Sequence, residues 1–303
     1  MSSGQSAVAA AYLEHFTHHD FALLRSAGRH ANQGEGAATA PSRQQGLEDL
    51  LGSARVFEAV FATPRAGDPL LAASPFFAFA VAVHRATVQL GSTSYVSEWL
   101  GLGRRAPVFD VVELSEFMSA PWHRLFLAEL LASYTHVASG SVLVPTRRGL
   151  RRQRFSELDP VRLASLLEVV SRQERPGILR RMGDLALFLT GVFPDHVARR
   201  GFGPIEEGRL LRAGQHGPGP SARLPPERQE AGVGDRGAVG LLEQLGRRWY
   251  RAAFELLPRP VAENVVVLGE LPAHFGQARR MLGFVTEHYL FPHRDRWFGL
   301  TGG

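Results

Sequence analysis

The stretch from Asp159 to Phe193, DPVRLASLLEVVSRQERPGILRRMGDLALFLTGVF, decides the fold class of this chain. Asp159 is a strong helix N-cap, and the proline after it fits the first helical position, where a missing N–H costs nothing. Apolar residues then recur at three- and four-residue spacing, and they do so again after Pro176. The positions are Leu163, Leu166, Leu167 and Val170, then Ile178, Met182, Leu185 and Leu189. The pattern predicts a pair of core helices, and Pro194 ends the second one.

Helical periodicity extends from this pair in both directions along the chain. Residues 76–90 are apolar almost all round, which is typical of a buried helix. Further helices are expected over residues 6–27, 46–62, 94–101, 111–118, 121–137, 238–257 and 272–290. The sequence therefore predicts a mainly α fold, a helical bundle.

One segment has β-type residues and a dense positive charge. Short runs at 141–144 and 150–155 are separated by a few residues that include a glycine, which predicts one small β-hairpin at about 141–155. It holds five arginines: Arg147, Arg148, Arg151, Arg152 and Arg154. Guanidinium groups repel one another and match phosphate and carboxylate bidentately, so the hairpin indicates an anionic partner. A solvated surface hairpin in an arginine-biased protein is the alternative.

Changes in composition predict how the chain is divided. Residues 1–198 are expected to form a helical domain with a flexible loop at 28–45. Residues 199–237 are rich in Gly, Pro and Arg, which favours a disordered linker. Residues 238–303 then form a C-terminal helical segment that packs on the first domain. No apolar run reaches the roughly 20 residues of a membrane helix, and no secretory signal pattern opens the sequence. We therefore expect a cytoplasmic protein without a membrane span.

Two residue types are missing, and their absence excludes several kinds of chemistry. The 303 residues include no cysteine, and all 34 basic residues are arginine. Disulfides, thiol nucleophiles and cysteine-rich metal sites are thus excluded. So are the Schiff-base lysine of pyridoxal-phosphate enzymes and the phosphate-binding lysine of P-loop enzymes. The net charge of +5 fits either an anionic partner or a compositional preference for arginine codons.

A second hypothesis places a buried polar site in the helical bundle. Its candidate residues are His84, Arg85, Glu98, His123, Glu129, His136 and Asp184. Converging histidines could hold a metal ion or haem, but a lone histidine on an apolar face is more often a core residue with its own hydrogen bond. Asp184 interrupts an apolar helix, and Arg180 or Arg181 one turn back is its expected partner. No cofactor is predicted; haem or a metal ion is the alternative.

Two stretches carry a resemblance to other proteins. The segments SELDPVRLASLLEVV and ERPGILRRMGDLALFLTGVFPDH, and the tail ARRMLGFVTEHYLFPHRDRWFG, resemble an uncharacterised helical family of actinobacteria. The likeness covers residues 95–196 and the end of the chain and implies a bacterial origin. Since no activity is known for that family, the resemblance assigns no functional residue.

These observations lead to two expectations about function. The first is a non-catalytic regulatory or adaptor protein whose arginine-rich hairpin meets an anionic partner, either nucleic acid or an acidic protein. The second is a helical-bundle enzyme or sensor that holds a metal ion or haem through buried histidines. The sequence carries no catalytic motif, so no catalytic residue is predicted.

Overall fold

The computed structural model of the chain describes residues 2–31, 45–61, 73–146, 149–215 and 237–293. The fold is mainly α, as the sequence predicts. The chain forms two compact units, and each is discontinuous in sequence. The first unit comprises Met1–Val96, Val108–Thr135 and Met281–Gly303; the second comprises Ser97–Pro107 and His136–Arg280.

The first unit is built from helices. They are α1 (Ser2–His15), α2 (His18–Ala31), α3 (Gln45–Gly52), α4 (Ala54–Phe61), α5 (Pro75–Leu90), α6 (Val111–Ser119) and α7 (Pro121–Ser133). Helix α5 is buried on nearly every side and packs against α3 and α7. Its start is fixed by Ser74, whose hydroxyl accepts a hydrogen bond from the Phe77 N–H, and by Pro75 in the first turn. The buried helix predicted at 76–90 is confirmed.

Two helices that the periodicity predicts as continuous are each broken in two. The helix expected over 6–27 breaks before His18, because Thr17 and Asp20 form a reciprocal cap. The Asp20 carboxylate accepts from the Thr17 N–H at 2.7 Å, and the Asp20 N–H donates to the Thr17 hydroxyl at 3.3 Å. The helix expected over 46–62 breaks at Ser53, whose hydroxyl accepts from the Val56 N–H. Capping side chains thus override an uninterrupted apolar stripe.

The second unit combines two hairpins with longer helices. The strands are β1 (Val96–Gly101), β2 (Arg104–Val108), β3 (Ser139–Thr146) and β4 (Gly149–Ser156), and the outer residues Val96 and Val108 belong to the first unit. The helices are α8 (Pro160–Leu166), α9 (Arg175–Val192), α10 (Pro194–Arg200), α11 (Pro204–Ala213), α12 (Gly237–Glu255) and α13 (Glu263–Val285). The last residues of α13, and the turns Thr286–Leu290 and Phe291–His293 after it, belong to the first unit.

Helices α9 and α12 form the tightest packing of the second unit, and glycines let them approach. A Cβ on Gly183 of α9 would lie 2.8 Å from the Tyr250 ring of α12. A Cβ on Gly246 of α12 would lie 2.6 Å from the Phe275 ring and 2.9 Å from the Ala186 Cβ. Leu185 is fully buried in this packing, as its position in the apolar stripe predicts.

Several predicted boundaries differ from the structure. The helix expected at 94–101 is wrong: residues 96–101 are strand β1, because Gly103 permits a tight turn to β2 with φ +65°. The linker expected over 199–237 is shorter, since α11 occupies part of it and starts with Pro204 and a Glu206 cap. The loop expected at 28–45 begins later, because α2 runs to Ala31. Residues 32–44 and 216–236 lie outside the described residues.

Candidate functional site

The predicted β-hairpin is present and regular. Strands β3 and β4 pair antiparallel, from Ser139 opposite Ser156 at the base to Thr146 opposite Gly149 near the turn. The hairpin expected at about 141–155 is therefore confirmed. Two of its arginines, Arg147 and Arg148, lie outside the described residues. We call residues 139–156 the arginine hairpin.

The base of the arginine hairpin is tied to the helices of its own unit. The Glu157 carboxylate accepts a hydrogen bond from the Ala138 N–H at 3.1 Å and another from Arg181 Nη2 of α9 at 3.1 Å. Within the hairpin, the Phe155 ring covers the opposite glycine and would lie 3.2 Å from a Cβ on Gly140. Strand β4 also packs against α8. These contacts hold the base of the arginine hairpin on its unit.

Arg152 is the hairpin arginine whose side chain the structure describes, and it is exposed. Its Nε–H donates to the Ser141 hydroxyl at 2.6 Å. Among the described residues, Arg152 forms no ion pair with a carboxylate within 4 Å. Arg151 stands opposite Val144 and Arg154 opposite Ser141 in the register, while their side chains lie outside the described part.

Of the polar residues predicted to converge, His84 has the most perturbed environment. It is buried in α5, and its Nε2 forms a 2.9 Å hydrogen bond with the buried Tyr12 hydroxyl. Burial, together with the nearby charge of Arg124, lowers the pKa of His84 to about 3. Burial likewise raises the pKa of Tyr12. The pair is therefore neutral at physiological pH, and each side chain is the hydrogen-bond partner of the other inside the core.

The other candidates of the first unit have separate partners. The ring of His123 stacks on Phe117, and its Nδ1 lies 2.7 Å from the Phe117 carbonyl oxygen. Glu129 pairs with His15 Nε2 at 3.1 Å, and both side chains are partly exposed. Arg85 donates to the Gly52 carbonyl oxygen at 3.4 Å. Each of these residues therefore has a partner of its own.

In the second unit, Glu98 is the centre of a buried ion-pair network. Its carboxylate accepts from Arg279 and, at 2.8 Å, from Arg280 Nε. Arg279 Nε lies 3.3 Å from a Glu243 oxygen, and that carboxylate also accepts from Arg247 at 2.9 Å. Every charge in the network faces one of opposite sign. This pairing explains why the Glu98 carboxylate can be buried.

Asp184 and His136 complete the predicted set. Asp184 accepts a hydrogen bond from the Tyr250 hydroxyl at 2.9 Å, and Arg180 Nε lies 3.8 Å from its carboxylate. Of its two expected partners, Arg180 is therefore present. Arg181 instead donates to Glu157, as described above. His136 is exposed.

No group of three His, Asp or Glu side chains that could hold a metal ion occurs in the described ranges. Within the same part of the chain, no helix is both long and apolar enough to cross a membrane. Comparison with protein-family models, curated proteins and solved structures found no match. The resemblance to an actinobacterial family stays a prediction.

Sequence reasoning missed two side chains that position the hairpins. Glu157 anchors the base of the arginine hairpin, and Asp195 accepts hydrogen bonds from Trp99 Nε1 and from the Gly103 N–H. The partner of Glu157 on α9 is 24 residues away, and those of Asp195 are 96 and 92 residues away. Neither contact follows a local motif, so periodicity and spacing give no signal for them.

Proposed function

We propose that this chain is a cytoplasmic, non-catalytic binding protein that contacts an anionic macromolecule through the arginine hairpin. The supporting observation is the exposed guanidinium of Arg152, which a hydrogen bond from Nε–H to Ser141 holds on a hairpin anchored at its base. Because this bond uses Nε, the two terminal nitrogens are left as a fork for phosphate or carboxylate oxygens.

A nucleic-acid backbone is the first partner to test. Phosphates present a repeating negative charge, and each one neutralised releases counterions, so binding by clustered arginines falls steeply with salt. Contacts of this kind position a protein without reading base sequence. We therefore expect affinity for random duplex or single strand with little sequence preference.

The test compares two triple variants that remove the same charge. One is Arg148→Ala, Arg151→Ala, Arg152→Ala; the control replaces exposed arginines elsewhere in the second unit, Arg172→Ala, Arg212→Ala, Arg251→Ala. Binding to a random duplex and a random single strand is measured across a salt series. The hairpin variant should lose affinity, and its salt slope should flatten by about one unit per lost phosphate contact. The control should behave like the parent.

Each other outcome has a defined meaning. Equal losses in both triple variants would show that net charge, and not the hairpin, attracts the nucleic acid. If the parent binds neither nucleic acid at low salt, the nucleic-acid form is refuted, and polyglutamate becomes the probe for an acidic protein partner. If the parent protein does not bind polyglutamate either, the proposal is refuted.

The metal- or haem-binding alternative remains a prediction with a direct test. Stoichiometric iron, or a Soret band in the absorption spectrum of the purified protein, would support it.

A further inference from the structure

The other hairpin, β1–β2, presents apolar side chains at its turn. Leu100 is 41% exposed and Leu102 is 51% exposed. Gly103 closes the turn with φ +65°, a conformation that other residues adopt only with strain. We call Leu100 and Leu102 the leucine tip. Two leucines at a turn, where polar residues are usual, leave apolar surface in contact with water.

The leucine tip is held in place and is not a loose loop. Asp195, in the first turn of α10, uses one carboxylate oxygen to accept both the Trp99 indole N–H at 2.9 Å and the Gly103 N–H at 3.1 Å. Trp99 is itself 4% exposed, so the strand next to the tip is anchored in the unit. The hydrogen bond from Trp99, with that from Gly103, lowers the pKa of Asp195 and keeps this clamp ionised at neutral pH.

Arginines lie next to the leucine tip. Arg104 and Arg105 follow the turn directly, and both are exposed. Arg199 on α10 is exposed as well, and the charges of Arg105 and Arg199 both act on Asp195, which places them near the clamp. The tip therefore combines a small apolar protrusion with at least three guanidinium groups.

We propose that the leucine tip and its arginines form a contact for an anionic lipid surface. A stable protein–protein interface buries about 1,200 Å² or more, far beyond what two leucines offer. A bilayer interface instead accepts a few apolar side chains at the headgroup boundary, while neighbouring arginines meet lipid phosphates. The anchored turn suits this role because no ordering of the tip is required on contact. This contact is independent of the arginine hairpin and of its proposed partner.

The absence of cysteine allows a site-specific test on the full chain. Leu102→Cys is labelled with a polarity-sensitive nitrobenzoxadiazole dye, and Ile205→Cys serves as the control, because Ile205 is an apolar residue of the same unit that is 79% exposed and therefore more accessible than Leu102. Each labelled protein is mixed with phosphatidylcholine vesicles, with or without 30% phosphatidylglycerol. The expected result is a blue-shifted, brighter emission at position 102 with anionic vesicles only, and no change at position 205.

A second variant separates the charges from the leucines. Adding Arg104→Gln and Arg105→Gln to the labelled Leu102→Cys protein should weaken vesicle binding roughly tenfold or more in 0.1 M salt. Thermal unfolding of each variant confirms that the fold is kept. No response at position 102, equal responses at 102 and 205, or an equal response with neutral vesicles would each overturn the proposal. A response at 102 to nucleic acid but not to vesicles would overturn it too, by assigning the tip to the other class of partner.

Discussion

Replacing Gly246 by alanine should destabilise the second unit, although alanine is the better helix former. In an open helical position the exchange stabilises by roughly 0.5–1 kcal/mol, because glycine loses more backbone entropy on folding. At Gly246 the added methyl would meet the Phe275 ring at 2.6 Å and the Ala186 Cβ at 2.9 Å. Both neighbours are fully buried, so neither can turn away into solvent.

The expected loss of unfolding free energy follows from two opposing effects, the gain in helix propensity and the cost of overpacking. Overpacking of a filled core costs about 1–3 kcal/mol, and contacts this short belong at the upper end of that range. After the helix-propensity gain is subtracted, a net loss of about 2 kcal/mol remains. For a unit of this size we expect the unfolding midpoint to fall by about 4–8 °C.

A matched control makes the prediction specific. Gly208, in the middle of α11, meets only Arg212 Nη1 at an ordinary 3.6 Å. Gly208→Ala should therefore raise the midpoint slightly, while Gly246→Ala lowers it, in thermal unfolding followed by circular dichroism. A rise for both variants would refute the close approach of α9 and α12.

Three further predictions concern burial, capping and protonation. Leu185→Ala should cost roughly 2–5 kcal/mol in unfolding free energy, and Leu189→Ala less, because Leu185 is fully buried and Leu189 only half-buried; equal effects in thermal unfolding would contradict this. Asp20→Ala should cost about 2–4 kcal/mol, since the Thr17 and Ser74 N–H groups lose their hydrogen bonds to the buried Asp20 carboxylate, whereas Asp49→Ala at an exposed position should change the midpoint little. The lowered pKa of His84 means that the unfolded chain takes up the proton first as pH falls below 6.5, so stability should drop by up to about 1.4 kcal/mol per pH unit towards pH 3. Unfolding midpoints at pH 7 and 4.5 should show a smaller difference for His84→Gln than for the parent.

The sequence predicted the regular core elements well, because their signals are local. The apolar positions of α9 recur at helical spacing, α5 is apolar almost all round, and both helices start with a proline in the first turn. The arginine hairpin was also predictable, from two short β-type runs and a glycine between them. In each case the residues that determine the element lie within it.

The predictions of secondary structure are wrong where a local cap ends a helix or where a partner distant in sequence fixes a strand. The Thr17–Asp20 cap divides a segment for which the apolar period predicts a continuous helix. Strand β1 was predicted as a helix, and its pairing depends on the turn at Gly103 and on the Asp195 carboxylate almost a hundred residues later. His84 and His123 lie buried in apolar helices, whereas His136 is exposed beyond the end of α7 at Ser133. The hydrogen-bond partners of the two buried histidines follow from packing that one sequence does not reveal.

The ion pair of Glu98 has a consequence for the order of events during synthesis. Its arginine partners come 181 and 182 residues later in the chain, and in the first unit Gln89 accepts a hydrogen bond from Tyr289, 200 residues later. At about 5–20 residues per second, the ribosome needs roughly 10–35 seconds to travel from Glu98 to Arg280. During that time the Glu98 carboxylate has no arginine partner and stays hydrated. Neither unit can finish before the end of α13 has emerged, so a chain that stops short of it leaves both units open.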